Sequence, residues 1–269
     1  MVALRAYRPL NVPVAVALDD AAIGRADRVL GCFRAPQAAC RTGARFGVTR
    51  GTGDEHLVLR DDEVLARGRS WDAAVDALVT VVNGEAIASY EGFAIHAGVV
   101  AAEGAAIAFP GVSGAGKSTL TAACLLAGGH YVSDEALCVD FDSGLAVPYP
   151  KPIRLSAPSQ RLLGLSQCRD TEVLLTADEL GAATVDAPLP LRHIVELVRS
   201  QGAPQLVPEH RSVGLAALLR LSFNHYKRPR AAFELASRLA AGSCAWRLEY
   251  SSPRAAADVL LTRLGELAG

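Results

Sequence analysis

Short apolar runs separated by polar turns recur along the chain, and their spacing predicts alternating strands and helices. Runs of buried-strand length stand at 14–18, 93–100, 105–109, 136–139, 191–198 and 245–250. Apolar positions recur at helical spacing over 21–33, 71–90, 118–127, 213–226 and 233–240. Ser252 as N-cap with Pro253 at the first position predicts a final helix. Strands and helices alternating around an apolar sheet indicate the α/β class.

The pattern of apolar and polar residues changes near residue 90, which predicts two domains. In the first part, residues 56–67 alternate around a polar turn in the manner of a hairpin, and Ser70 is a suitable N-cap for a long helix. In the second part, two apolar strands lead into a glycine-rich segment. We therefore expect a small N-terminal α/β domain over 1–90 and a domain with a mixed sheet over 91–269.

Composition and charge narrow the classes of function. The 269 residues carry a formal net charge of −1 without a long basic run, which argues against nucleic acid or an anionic membrane as main partner. The apolar runs fall well short of the roughly 20 residues that span a bilayer. The first eight residues lack the layout of a secretory signal, so a cytoplasmic protein is expected.

Six cysteines are scattered along the chain without metal-like spacing. They are Cys32, Cys40, Cys124, Cys138, Cys168 and Cys244. Reduced structural thiols are therefore expected, with Cys124 and Cys138 buried because they lie in apolar helix and strand patterns.

Residues 111–118, Gly-Val-Ser-Gly-Ala-Gly-Lys-Ser, match the phosphate-binding loop pattern between a predicted strand and a predicted helix. The backbone N–H groups of such a loop surround nucleotide phosphates, and glycine permits the tight dihedral angles. Lys117 would reach the β- and γ-phosphates of ATP, and the Ser118 hydroxyl would ligate Mg²⁺. The residues expected at the nucleotide are Gly111, Ser113, Gly114, Ala115, Gly116, Lys117, Ser118 and Thr119.

Two adjacent acids, Asp134 and Glu135, follow the loop helix at the expected start of the next strand. Phosphoryl transfer needs a carboxylate near the metal and a group that accepts the proton of the attacking hydroxyl. One acid can accept that proton while the other ligates Mg²⁺. A solvated turn is the alternative explanation of the pair.

Other polar residues leave their roles open. The ring of His96, on the strand that precedes the loop-feeding strand, can point towards the phosphates or pack in the core. Lys151 and Arg154 could clamp phosphate charge or dock a substrate, but an exposed role is expected for each. The same expectation covers His193 and the other later histidines.

Three segments together resemble the catalytic domain of HPr kinase/phosphorylase: residues 96–100, 111–119 and 129–135. They are most similar to the stand-alone kinases of that family that accompany peptide-modifying gene clusters, including the lasso peptide kinases. The resemblance covers residues 93–140, and beyond them only the overall layout. It implies a kinase domain related to phosphoenolpyruvate carboxykinase.

The resemblance also implies roles for single residues. His96 matches the histidine before the loop, Asp134 the base, and Glu135 the acid near the metal, where the family usually has aspartate. The glycine-containing signature that bifunctional HPr kinases carry after the acids is replaced by the stretch 147–165, which argues against regulation of a sugar-transport carrier. The Leu-Ser-Gly-Gly-Gln segment of transport ATPases is absent as well.

The expected function is an ATP- and Mg²⁺-dependent kinase that phosphorylates a hydroxyl, most simply of serine, on a peptide or small protein. Lys117, Asp134 and His96 are the candidate catalytic residues, and Ser118 with Glu135 would hold the metal. Two alternatives remain open: a kinase for free serine or a sugar, and a nucleotide-gated module that binds a peptide without transfer. A homo-oligomer is possible.

Overall fold

The computed structural model describes residues 2–40 and 43–266, without the side chains of 39, 40, 265 and 266, so Cys40 lies outside the described side chains. The chain divides into two compact units, Met1–Tyr90 and Glu91–Gly269. Both contain helices and sheets, which confirms the mixed α/β class. Among the described helices, none combines the length and the apolar character needed to cross a bilayer.

Within its described residues, the first unit contains a five-stranded sheet and two α-helices. Its elements are β1 (Val2–Tyr7), β2 (Val14–Asp19), α1 (Asp20–Leu30), β3 (Ala44–Arg50), β4 (His56–Arg60), β5 (Glu63–Gly68) and α2 (Trp71–Ser89). The strands are ordered β1-β2-β3-β4-β5, and only β2 and β3 run parallel. The predicted hairpin is confirmed as β4 and β5. Ser70 caps α2, because its Oγ accepts a hydrogen bond from the Ala73 N–H at 3.2 Å.

The second unit contains a seven-stranded mixed sheet. Its elements are β6 (Phe93–Ala102), β7 (Ala105–Pro110), α3 (Lys117–Leu126), β8 (His130–Val139), β9 (Ala146–Val147), β10 (Ile153–Leu155), α4 (Ala157–Leu162), β11 (Val173–Leu175), β12 (Leu191–Arg199), β13 (Gln205–Glu209), α5 (Arg211–Arg220), α6 (Pro229–Gly242), β14 (Cys244–Tyr250) and α7 (Pro253–Glu266). The sheet order is β13-β14-β12-β7-β6-β8-β9. Strands β7, β12 and β14 run parallel, whereas β6 is antiparallel to both β7 and β8.

Each face of this sheet has its own apolar core. On one face, Phe109 and Leu120 pack with Leu260 of α7, and this core includes the buried Cys124. On the other face, Ile95 packs with residues of α5 and α6. Cys138 is also buried, so the expectation for both thiols is confirmed. Alternate residues of β6 therefore face opposite cores, and its even positions face α3.

Two element boundaries differ from the sequence prediction by six residues. Strand β8 starts at His130, so the predicted start at 136 is wrong and the paired acids lie within a strand. Helix α5 ends at Arg220 instead of 226. The chain leaves the helix there because the backbone of Leu221 and Phe223 bonds to β6, and the buried Asn224 amide bonds to the backbone of Ala94 at 3.0 Å.

Candidate functional site

The segment 111–116 joins the end of β7 to the start of α3 and presents backbone N–H groups. Gly116, the N-cap of α3, has φ 97°, a left-handed conformation that a side chain would strain. The first helical hydrogen bond runs from the Leu120 N–H to the Gly116 carbonyl at 2.9 Å. The amides before Leu120 lack intrahelical acceptors and lie at the positive end of the helix dipole, so this turn is suited to an anion.

Lys117, the first residue of α3, is buried with 7% of its surface exposed. Its Nζ donates to the Val112 carbonyl oxygen at 2.9 Å, which folds the ammonium back over the segment. Burial lowers the pKa of this lysine, while Asp134 and Glu135 oppose that shift. The cation is therefore next to the two carboxylates that the sequence singled out.

Asp134 lies in the middle of β8, opposite Gly98 of β6. A Cβ at Gly98 would lie 2.4 Å from the Thr121 Oγ1 of α3, so the missing side chain lets the helix pack directly on the sheet. This close packing brings the Ser118 hydroxyl beside the Asp134 carboxylate, where it favours the charged form of the acid.

The Asp134 carboxylate is nearly inaccessible, with 3% of the residue exposed. Its Oδ1 has no hydrogen-bond partner among the described residues. Burial raises the pKa of Asp134, while Lys151, Ser118 and Lys117 act in the opposite direction. A buried carboxylate with an unused acceptor atom can receive a proton or join a metal, so the arrangement is costly without a ligand.

Glu135 has φ 146°, which departs from regular strand geometry. Adjacent residues of a strand normally point to opposite faces of the sheet, yet both Asp134 and Glu135 raise the pKa of Lys117. The Glu135 carboxylate lies 3.7 Å from His96 Nε2 and 3.8 Å from Lys151 Nζ. Backbone strain of this kind often occurs at functional sites.

Lys151 is buried, with 5% of its surface exposed, so the expectation of an exposed role is wrong. The proline-rich connector runs beside β8, where the Tyr131 hydroxyl donates to the Lys151 carbonyl at 2.5 Å. The Lys151 ammonium also donates to the Pro152 carbonyl at 3.2 Å. No local pattern marks this burial, because the contacts come from residues about twenty positions earlier.

His96 lies at the edge of the same cluster and does not pack in the apolar core. Its ring stacks on Phe223 with 5.3 Å between centroids, and 22% of its side chain is exposed. Burial and then Lys117 lower its pKa, while Glu135 raises it. Burial therefore favours the neutral imidazole, and its Nε2 lies within 3.7 Å of the Glu135 carboxylate.

Arg199 is a neighbour of the segment that the sequence pattern missed. A Cβ at Gly116 would lie 2.9 Å from Arg199 Nη2 and 2.9 Å from the Tyr250 hydroxyl. Arg199 ends β12, the neighbour of β7, and Tyr250 ends β14, the strand beyond β12. The sequence could have indicated this position, because Arg199 directly follows the predicted strand 191–198. The carboxyl ends of parallel strands lie along the same edge of a sheet.

The remaining candidates lie in other surroundings. The Thr119 Oγ1 is 2.8 Å from Ser159 Oγ, and Arg154 pairs with Glu172 at 3.6 Å. His193 is buried and its Nδ1 accepts a hydrogen bond from the Trp246 indole at 3.1 Å, so the expectation that it is exposed is wrong.

A cavity of about 160 Å³ adjoins the start of the segment, lined by Val112 and Ala115 together with Ile194, Ala217 and Trp246. The concave surface therefore continues from the segment towards α5, and a ligand held at the segment has apolar walls on that side.

Within the described residues, no three or more His, Cys, Asp or Glu side chains form a metal-holding group. A Mg²⁺ ion that is shared with phosphates needs only one or two carboxylates and water. The Ser118 hydroxyl, the unused Asp134 oxygen and Glu135 are hard oxygen donors, and they fit that requirement.

Comparison with known protein families finds no family that matches the chain, and comparison with curated proteins finds no relative. The function is therefore inferred from the residues of the site.

Proposed function

We propose that this protein is an ATP- and Mg²⁺-dependent kinase that transfers the γ-phosphoryl group to a hydroxyl, most simply a serine of a peptide or small protein. The observation that carries the proposal is the buried Asp134 carboxylate. It lies beside Ser118 at the start of α3 and near Lys117, and it keeps one oxygen without a partner among the described residues. Binding alone would not require a buried base.

In this proposal, 111–118 is a phosphate-binding loop and the second unit is a P-loop domain of the HPr-kinase-like type. Its amides and Lys117 bind the phosphates, with Lys117 exchanging the Val112 carbonyl for phosphate oxygens. Ser118 and Glu135 would hold Mg²⁺, which neutralises phosphate charge when it is bound. The resemblance of 93–140 to that family supports the same assignment.

The chemical step uses Asp134 as the base. The acceptor oxygen forms a bond to the γ-phosphorus, the bond from that phosphorus to the bridging oxygen breaks, and ADP leaves. The proton of the acceptor hydroxyl passes to Asp134. His96 and Glu135 are partly exposed beside this buried acid, so the acceptor approaches over them.

The central test is Asp134→Asn, which keeps the shape of the side chain and removes its basicity. We expect ADP and ATP to bind within about threefold of the wild type, while transfer falls by about 10²- to 10⁴-fold. Asp142→Asn, in the exposed turn after β8, is the matched control and should transfer normally. Undiminished transfer by Asp134→Asn would remove Asp134 from the base role.

The acceptor is tested by mass analysis of serine peptides encoded by neighbouring genes after incubation with ATP, with free serine in parallel. Phosphate on the peptide alone supports the proposal. Phosphate on free serine alone would make the protein a small-molecule kinase. Tight ATP binding without transfer to peptide, serine or sugar would favour the nucleotide-gated binding module.

A further inference from the structure

Arg199 and Tyr250 end two parallel strands, β12 and β14, and lie directly beside Gly116. They are paired in register, and the Arg199 guanidinium lies over the Tyr250 ring at 4.9 Å from its centroid. Because the hypothetical Cβ of Gly116 would lie 2.9 Å from donor atoms of both, these donors reach the backbone at the start of α3. The cation–π contact holds the guanidinium in place.

Neither donor is satisfied by the protein in the described part of the chain. The Arg199 side chain is exposed and forms no ion pair with the described residues. Tyr250 is fully buried, and its hydroxyl has no hydrogen-bond partner among the described residues. An exposed cation and a buried, unpartnered hydroxyl thus converge on a helix N-terminus that already favours anions.

We propose that Arg199 and Tyr250 form a diphosphate anchor that binds the α- and β-phosphates of the nucleotide. This inference rests on one part of the proposed function, the binding of a nucleotide by residues 111–118. In the sheet, β12 and β6 flank β7 on opposite sides, so the anchor and Asp134 lie on opposite flanks of the loop. Asp134 and Lys117 act at the transferred group, and the anchor acts on the phosphates that remain in ADP.

This placement makes a specific prediction about ligands. Loop amides at the start of the helix surround the inner phosphates, and those phosphates are shared by ATP and ADP. The anchor therefore contributes equally to binding of both nucleotides. AMP carries a single phosphate and lacks the β-phosphate that the guanidinium would clamp, so its binding depends less on Arg199.

The test is calorimetric titration of the full chain with ADP, ATP and AMP in the presence of Mg²⁺. Arg199→Gln should weaken ADP and ATP binding alike by about ten- to a hundredfold, and AMP binding by less than about threefold. Arg199→Lys should recover part of the loss, because a point charge remains without the planar fork. Tyr250→Phe should weaken ADP binding by about three- to tenfold.

Arg192→Gln is the matched control, since Arg192 is exposed on the same strand and far along it from the loop. It should bind ADP as the wild type does. Thermal unfolding without ligand checks that Arg199→Gln and Tyr250→Phe remain folded.

The outcomes separate this inference from the proposed function. Unchanged ADP binding by a folded Arg199→Gln variant overturns the anchor alone. A wild-type protein that binds ADP through Arg199 but transfers no phosphate overturns the kinase and leaves the anchor. A wild-type protein that binds neither ADP nor ATP overturns both.

Discussion

At the scale of single residues, a buried carboxylate between two buried ammonium groups governs the chemistry of the site. Burial pushes Asp134 towards its neutral form, whereas Lys151 and Lys117 favour its charge. Burial likewise favours the neutral form of Lys117, and both acids oppose that effect. Each group thus favours the charged form of its partner against the effect of burial, and removing one member changes the proton affinity of the others.

This balance predicts the pH dependence of transfer. Asp134 can act as the base only when it is deprotonated, so transfer is lost as the pH falls through its pKa. Because that pKa is raised, the loss occurs at a higher pH than it would for an ordinary aspartate. In Lys151→Met, an opposing positive charge is lost, so the pKa of Asp134 rises further. The acidic limb of the pH–rate profile should therefore move to higher pH.

The measurement is kcat/KM for transfer across pH, with Lys151→Arg as the charge-keeping variant. Lys151→Arg should restore the position of the limb, even where its rate is lower. An acidic limb that stays in place in Lys151→Met would contradict the electrostatic role of Lys151 and leave it a packing residue.

At the scale of elements, the site depends on how closely α3 packs on β6. Gly98 permits this contact, since a Cβ there would overlap the Thr121 Oγ1. Gly98→Ala should push the helix away from the sheet and lower the free energy of unfolding by about 1–3 kcal/mol. It should also weaken ADP binding, because the same helix carries Lys117 and Ser118.

Urea denaturation and ADP titration measure both effects. Gly242→Ala is the control, because no atom lies within 4 Å of a Cβ built at that helix end. Its unfolding free energy should change by less than about 0.5 kcal/mol. Equal stability and ADP affinity for Gly98→Ala and the wild type would mean that the helix accommodates the methyl group without moving.

At the scale of the whole molecule, the chain consists of two compact units, each with its own sheet and helices. The proposed nucleotide site belongs entirely to the second unit. Binding stabilises a native state by mass action, by about 2.7 kcal/mol at a ligand concentration one hundred times Kd. We expect this stabilisation to fall on the unit that holds the site.

Hydrogen exchange tests that expectation. With ADP at one hundred times Kd, the slowest amides of β6, β7 and β8 should exchange about a hundredfold more slowly. The slowest amides of β2 and β3 should keep their rates, because none of the residues assigned to the nucleotide site belongs to the first unit. Equal slowing in both units would show that they unfold together.

Much of the local structure could be predicted from the sequence, because its causes are local. The hairpin 56–67 follows from alternation around a polar turn, and the Ser70 cap from a hydroxyl that reaches the next helical N–H groups. The strand–loop–helix order around 111–118 could also be predicted, since glycine and apolar residues influence the conformation of the chain close to their own positions. The thiols of Cys124 and Cys138 are buried as their apolar surroundings predict.

The predictions that failed concern residues whose surroundings come from distant parts of the chain. Lys151 and His193 were expected to be exposed, but contacts with Tyr131 and Trp246 bury them. Strand β8 begins six residues earlier than predicted, at 130 instead of 136, because the polar residues Ser133 and Asp134 are buried within the sheet.

The sequence by itself determined the kinds of elements, the glycine-rich loop and the pair of acids, since each depends on neighbouring residues. Only the tertiary structure decided that Ser118 lies beside Asp134, that Glu135 reaches both His96 and Lys151, and that Arg199 lies beside Gly116. Sheet order and the absence of a side chain at Gly98 bring these groups together. Such contacts depend on the pairing of strands, and no short-range pattern encodes that pairing.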